Sequence, residues 1–450
     1  MPAIACCLLL AAFSSSVVEA AAGADGEVAV GRAPIDFAGP SRDAVTFTLT
    51  PGVGLHMRSG SSNFVLSYTP RIFFRLPNAL GVDHPLVLHQ VGLDHTASVG
   101  KDVTWASSAN LSVGEIDYTA AGVVFDPALS SVVKTSITDI LRSTVQTGFK
   151  WGVTPHLKFN WDVGAEYTTT LGGSGGNSAT TPTATSASGF FGEEVPASFQ
   201  LRTKPDLSYA VNRYNSVGGS FDVTYQWFKQ TARYLLLSPE LTWQTQLSPL
   251  TQLQLSGGIA YVWTLQAVVP TVSKKNALGG TGNVALTSEV YRGGQTRVKT
   301  TFNADLEWYF DPILGTSQPR AGAKASTEIT IGRKWLIGPN ASFVTVLRKL
   351  NILLQVPPGT VVDQQTQTDI AGEYQQLIAA PDQTVLRLEL PLRYQLGRAA
   401  ALTFGVRSAF RGRALPQPGF RLDEQVEYWA FVGLAIRLST SEDRGTWLPL

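Results

Sequence analysis

Few residues in this chain are placed for covalent chemistry. The only cysteines, Cys6 and Cys7, fall in the first apolar stretch. The rest of the chain has no thiol for a disulfide framework, for thiol catalysis or for a cysteine metal site. The five histidines are His56, His84, His89, His95 and His156. His89 and His95 share one strand-like run, but neither has a Ser or Asp at the spacing of a catalytic relay, which a hydrolase on a barrel rim would need. The glycine pairs Gly172-Gly173 and Gly279-Gly280 do not join a strand to a helix, as a phosphate cradle requires. The expectation is no enzymatic activity, no metal and no cofactor.

Charged and aromatic side chains offer a different chemistry, that of a polar surface repeated at every second residue. Arg387, Arg393, Arg407, Arg411 and Arg437 lie near the end of the chain, and Arg58, Arg71 and Arg75 near its start. Only Glu389 and Glu427 share their phase. The middle of the chain carries Asp162, Glu166, Asp206, Asp222, Glu240, Asp305 and Glu307, interleaved with Lys158, Arg202, Lys204, Arg297 and Lys299. Four aromatics, Phe73, Tyr309, Trp429 and Phe431, fall on this same polar phase.

These residues are positioned by alternation at period two. In residues 235–245, Leu235, Leu237, Pro239, Leu241 and Trp243 share one face, and Leu236, Ser238, Glu240, Thr242 and Gln244 the other. Past Ser248-Pro249 the pattern resumes with Leu253, Leu255, Ile259, Tyr261 and Trp263. Successive side chains of a strand point to opposite faces, so this is a hairpin with one apolar and one polar face. Residues 45–57, 64–74, 386–396 and 426–438 read the same way, and weaker candidates bring the count of runs to seventeen.

Composition agrees with a membrane-embedded sheet. Charged residues make up 15% of the chain, against about 25% in soluble domains, and the mean hydropathy is +0.06. Past residue 20 there is no apolar run of the ~20 residues that a membrane helix needs. The net charge of +1 gives no bulk basicity to hold nucleic acid. The runs are 9–16 residues long, whereas strands of soluble proteins average ~5–6 and membrane-spanning strands ~9–11. Tryptophans at run ends, Trp105, Trp151, Trp227, Trp243, Trp263, Trp308 and Trp335, keep the apolar phase and suit an interfacial girdle. A soluble β-sandwich, with the apolar face as core, is the rival fold.

Connections alternate short and long. Gly60-Ser61, Gly100-Lys101-Asp102, Thr154-Pro155, Ser248-Pro249, Gly332-Arg333 and Gly397-Arg398 are tight turns, and 119–138, 171–197, 268–282, 348–383 and 413–425 are long. Residues 369–379 could form a short helix inside a loop. Seventeen strands is odd, and one more within 27–37 would restore parity. The fold class expected is all-β, a closed antiparallel transmembrane β-barrel of 16–18 strands, with 18 favoured.

Residues 1–20 read as a signal peptide, with an apolar core from Ala3 to Phe13 and Val18-Glu19-Ala20 as its cleavage site. The expected division is 1–20 signal, 21–43 periplasmic segment, 44–440 barrel and 441–450 tail.

The long alternating runs and the short and long connections resemble Gram-negative outer-membrane β-barrel porins and polysaccharide-export pores, over residues 44–440 and in architecture alone. The resemblance implies export to the outer membrane, contact with its lipid, and a channel for polar solutes. Alternatives are the outer-membrane pore of an extracellular polysaccharide secretion system, and a structural or adhesive barrel without transport. A homo-oligomer and periplasmic export components are open partners. The basic phase of the closing and opening strands would form one lumen sector facing a mixed, partly acidic wall; the plainer reading is that these charges only solvate a wet lumen and pair across strands. The four lumen-phase aromatics could stack on sugar rings or pack locally.

Overall fold

The computed structural model describes residues 17–34, 41–77, 84–117, 137–171, 197–229, 233–266, 276–311, 316–346, 384–412 and 426–439. The helix considered at 369–379 lies outside them. No helix among the described residues is long and apolar enough to cross a membrane.

Among the described residues every regular element is a β-strand. In chain order they are β1 Val17–Pro34, β2 Ser41–Ser59, β3 Ser62–Tyr68, β4 Arg71–Leu76, β5 Leu86–Val99, β6 Val103–Asp117, β7 Ile137–Gly152, β8 Leu157–Thr170, β9 Ser198–Ala210 and β10 Asn215–Phe228. There follow β11 Arg233–Ser248, β12 Thr251–Gln266, β13 Ala277–Gly293, β14 Thr296–Asp311, β15 Thr316–Ile331, β16 Trp335–Ile337, β17 Asn340–Val346, β18 Thr384–Gln395, β19 Ala400–Gly412 and β20 Val426–Ser439.

Two wall strands are split. β3 and β4 both lie between β2 and β5, and β16 and β17 both lie between β15 and β18. The breaks fall at Pro70 and Pro339, because proline has no N–H to give to a ladder. The register continues unshifted across each break. Twenty segments therefore make 18 wall strands, and β1 pairs with β20 to close an antiparallel barrel. A soluble sandwich is excluded by this closure. Every pairing is between sequence neighbours except the last, so the chain builds the wall as one meander.

One rim holds the tight turns and both barrel ends, Val17 and Ser439; the other holds the long connections. At the tight rim Gly60, Gly100, Gly294 and Gly332 have φ of 55°, 71°, 57° and 63°, left-handed values that glycine supplies to hairpin loops of two or three residues.

The eighteenth strand is β1. It covers most of the segment 21–43 expected outside the barrel, so the wall begins well before residue 44. From Ala20 to Gly26 its outward residues, Ala20, Ala22, Ala24 and Gly26, are small; only Val18, Val28 and Val30 are large, so alternation marked too little of the strand. Val17–Ala20 pair with β2 alone, and the ladder to β20 starts at Ala21↔Ser439. Removal of residues 1–20 would leave both ladders closed.

The large exposed hydrophobics fall on one phase of the strands, among them Leu241, Ile259, Val406 and Leu438. Trp105, Trp151, Trp263 and Trp335 are exposed on that outer surface near strand ends. The opposite phase points inward and carries the charges.

Candidate functional site in the barrel lumen

The lumen has two unlike walls. The first is the seam, running from β18 through β20 and β1 to β4. The second runs from β8 to β14. β20 and β10 stand nine wall strands apart in a ring of 18, on opposite sides of the lumen.

On the seam, Arg58, Arg71, Arg75, Arg387, Arg393, Arg407 and Arg437 all occupy the lumen phase, fixed by ladders such as Thr46↔Arg75, Glu389↔Arg407 and Gly23↔Arg437. Arg411 continues that phase opposite Val385, and its side chain lies outside the described set. These residues span six consecutive wall strands. β1, interposed between β20 and β2, adds three lumen carboxylates that the expected basic sector lacked, Glu19, Asp25 and Glu27. Arg407 reaches over β20 to pair with Glu27, and its Cζ lies 4.9 Å from the centre of the Phe431 ring. Asn340 Nδ2 donates to Glu389 Oε2 at 3.1 Å, and Trp429 Nε1 donates to Glu427 Oε1 at 2.7 Å. Arg58 is exposed near the turn, its Nε donating to Asn63 Oδ1 at 3.2 Å.

The second wall neutralises most of its charge strand by strand. Arg142 meets Glu166 at 3.0 Å, and Lys204 meets Glu240 at 3.3 Å. Arg202 pairs with Asp222, which also accepts from Thr224 Oγ1 at 3.0 Å, and Arg320 pairs with Glu307. Asn160 Nδ2 donates to Asp206 Oδ1 at 3.1 Å. Asp162 and Asp305 face the lumen without an ion pair among the described residues.

The lumen aromatics do not present free faces. Trp429 is 2% exposed, Phe73 6% and Phe431 7%. Trp429 and Phe431 pack with Ala29 and Ala44 across the seam. A Cβ on Gly31 would sit 1.9 Å from the Tyr428 carbonyl oxygen, and one on Gly405 would sit 2.2 Å from that of Leu390 and 3.0 Å from the Phe431 ring. Glycine at both positions lets the wall close around these rings. Tyr309 lies on β14 opposite Gln318, and its side chain is outside the described set.

Sequence reasoning missed an apolar collar. Leu86, Leu88, Ile140, Phe228, Tyr234, Val262 and Val385 point inward near the long-connection rim, and all are buried. With Phe73, Trp429 and Phe431 they put apolar side chains on the lumen phase, with two separate clusters among them. The lumen is therefore not polar throughout, as alternation had implied. The signal was legible: Leu86-Val87-Leu88, Tyr234-Leu235-Leu236-Leu237 and Tyr261-Val262-Trp263 are apolar on both phases. Trp308 belongs with this collar. It was expected on the lipid girdle, but it packs against Phe228, Tyr234 and Val262. The β13–β14 ladder ends at Gly282↔Leu306, so Trp308 has no β13 ladder partner, although β14 stays paired with β15 to Asp311↔Thr316.

The histidines make local pairs: His56 with Glu19 at 3.2 Å, His84 with Glu115 at 3.1 Å, His89 with the Tyr68 hydroxyl at 2.8 Å and His95 with Ser62 at 3.0 Å. Among the described residues no three His, Cys, Asp or Glu side chains group to hold a metal.

No protein-family model matches the chain, and no curated protein does. Solved structures align with most of the chain at low similarity. The copper transporter OprC aligns with a TM-score of 0.48 and 11% identity, over 95% of this chain and 81% of that one. The outer-membrane protein OpdK from Pseudomonas aeruginosa gives 0.40 and 8%, over 94% and 99%. A bacterial polysaccharide outer-membrane secretin gives 0.33 and 9%, over 93% and 98%.

Proposed function

We propose that the chain is an outer-membrane channel, porin-like, that passes polar solutes through a charged lumen and favours anions. A closed antiparallel barrel with an apolar outer phase belongs in a lipid bilayer, because closure satisfies every ladder and leaves no edge in hydrocarbon. Among bilayers, β-barrels of this kind populate the outer membrane, which residues 1–20, removed as a signal peptide, would give the chain access to. At 18 strands the interior is wide enough for an aqueous path.

The observation that carries the solute preference is the seam. Nine lumen-phase arginines, Arg42 among them, stand against five carboxylates, Glu19, Asp25, Glu27, Glu389 and Glu427, and removal of residues 1–20 would take away Glu19. Inside a confined lumen their fields add and are screened less than at an open surface, where the Debye length is ~8 Å. In planar bilayers at low salt, the purified protein should give steps of conductance with a reversal potential on the anion side. Replacing Arg393, Arg407 and Arg437 together by Gln should shift that potential toward zero, with the difference shrinking at high salt. Unchanged potentials would make these arginines scaffold.

A second reading is a structural barrel with a shut lumen. One observation favours it, the collar of buried apolar side chains at the long-connection rim. Absence of any conductance would select it.

A further inference from the structure

We propose that the outer surface of β15–β20 holds a site for one anionic glycerophospholipid, its phosphate beside Lys334 at the tight-turn rim and an acyl chain in a groove nearer mid-strand. The site lies outside the lumen, and of the channel reading it shares only the lipid-facing outer phase.

Two tight turns stand side by side at this point of the rim, residues 332–334 between β15 and β16 and residues 396–399 between β18 and β19. The Gln395 N–H donates to the Lys334 carbonyl at 2.8 Å, and Gln395 Nε2 donates to the Gly397 carbonyl at 2.6 Å, so the two turns are held as one unit. They carry Arg333, Lys334 and Arg398, all exposed, and no Asp or Glu. None of these cations makes an ion pair among the described residues. Arg292, on another turn of the same rim, is tied to Glu289 at 3.1 Å.

The cations stand over outward-facing rings. Lys334 Nζ lies 5.8 Å from the centre of the Tyr394 ring. Trp335 packs on that ring at 4.6 Å, and meets Phe404 edge-on at 6.3 Å. Attraction to the ring face draws the ammonium to the lipid side of the wall, and amphipathic rings with long cations suit the headgroup level.

A groove of about 760 Å³ crosses the same strands further from the rim. Ala325 and Ala341 lie beside the larger Leu388, Leu390, Val406 and Tyr428, all on the outward phase, and the small side chains leave the depression. Leu390 and Leu388 are four and six residues along β18 from Tyr394. At ~3.3 Å per residue that is ~13–20 Å along the strand, or ~9–14 Å in depth at a tilt of ~45°, within one leaflet of a ~30 Å hydrocarbon core. An occupant must therefore be apolar at this depth and anionic at the rim. A zwitterionic headgroup would bring its own ammonium against cations that have no carboxylate partner, so the anionic lipid is preferred.

The test offers the full-length protein, in a neutral detergent, equal amounts of dioleoyl phosphatidylglycerol and dioleoyl phosphatidylcholine, which differ only in headgroup. Native mass spectrometry counts the lipid that stays bound, and a heat-modifiability gel checks that each variant is an assembled barrel. Phosphatidylglycerol should be retained about tenfold over phosphatidylcholine. Lys334→Gln with Arg398→Gln, in exposed turns, should abolish that preference. Ala341→Leu should lower retention of both lipids by filling the groove; Ser408→Leu fills it from β19 should the first variant fail to assemble. Arg213→Gln, which removes a cation over the Tyr214 ring on a different turn, should change neither. Equal retention of the two lipids, or a preference that survives the paired Gln variant, overturns the proposal. Glycerol 3-phosphate that displaces the lipid as well as phosphatidylglycerol does would make this a phosphate site and overturns the lipid. Barrels that associate and hold no lipid assign the groove to a second copy and overturn it too. Lipid retained by a barrel that does not conduct overturns the channel reading and keeps this one, and conduction without lipid preference does the reverse.

Discussion

The seam and the β8–β14 wall face each other across one lumen, and they treat charge differently. On the second wall, partners lie on the same or neighbouring hairpins, as with Arg202–Asp222, Lys204–Glu240 and Arg320–Glu307. On the seam, the pair Arg407–Glu27 joins residues 380 positions apart, and most arginines have no carboxylate opposite them in the ladder. Local pairing yields a wall of dipoles with short-range fields. An excess of one sign, carried by strands from both ends of the chain, yields a field that reaches into the lumen. The difference teaches that a net charge near zero can coexist with an uneven lumen, because one wall pairs both signs locally while the other carries an excess of arginine.

The largest effect should come from the outer surface, where both walls are expected to be alike. Leu390→Arg on the seam and Leu255→Arg on β12 each place a charge against lipid, at ~2–4 kcal/mol near the midplane. Both should abolish membrane assembly in a heat-modifiability assay, while the inward Gln254→Arg assembles. Assembly of either outward variant would contradict a lipid-facing phase on that wall.

A smaller effect separates the walls by packing. Gly31→Ala and Gly405→Ala force a Cβ into a neighbouring carbonyl, while the Cβ position of Gly257 on β12 is open. Overpacking of this kind typically costs about 1–3 kcal/mol. Thermal unfolding in detergent should therefore drop for the two seam variants and stay put for Gly257→Ala. Equal tolerance at all three would mean the seam is not tightly closed around Trp429 and Phe431.

The smallest effect concerns the pair of Arg407 with Glu27. Glu27→Gln removes the carboxylate under Arg407, a partly buried pair, and should lower stability by ~1 kcal/mol. It should also raise anion preference at low salt, opposite in sign to removing arginines. If selectivity falls instead, Glu27 rather than the arginines shapes the field.

Much of this was readable from residues alone, and the places where it was not share a cause. Alternation identified strands such as β11, β12, β18 and β20 because large apolar side chains mark one phase. It failed at β1, where Ala22, Ala24 and Gly26 carry no such mark, and parity alone indicated that a strand was missing. Asp25 and Glu27 were lost with it. Trp308 was assigned by phase to the lipid, and only the structure shows it packing with the collar instead. The buried state of Trp429 and Phe431 also needed the wall, because it depends on glycines of β1 and β19 lying beside them.

The sequence by itself determined the period-two alternation, the tight turns and the supply of arginines at both chain ends, because strand geometry ties each residue's face to its parity. Tertiary structure decided closure through β1 and β20, the interposed carboxylates, the pairing of Arg407 with Glu27 and the collar. These are contacts between strands at opposite ends of the chain or across the lumen, and no local pattern specifies which distant residue a lumen side chain will meet.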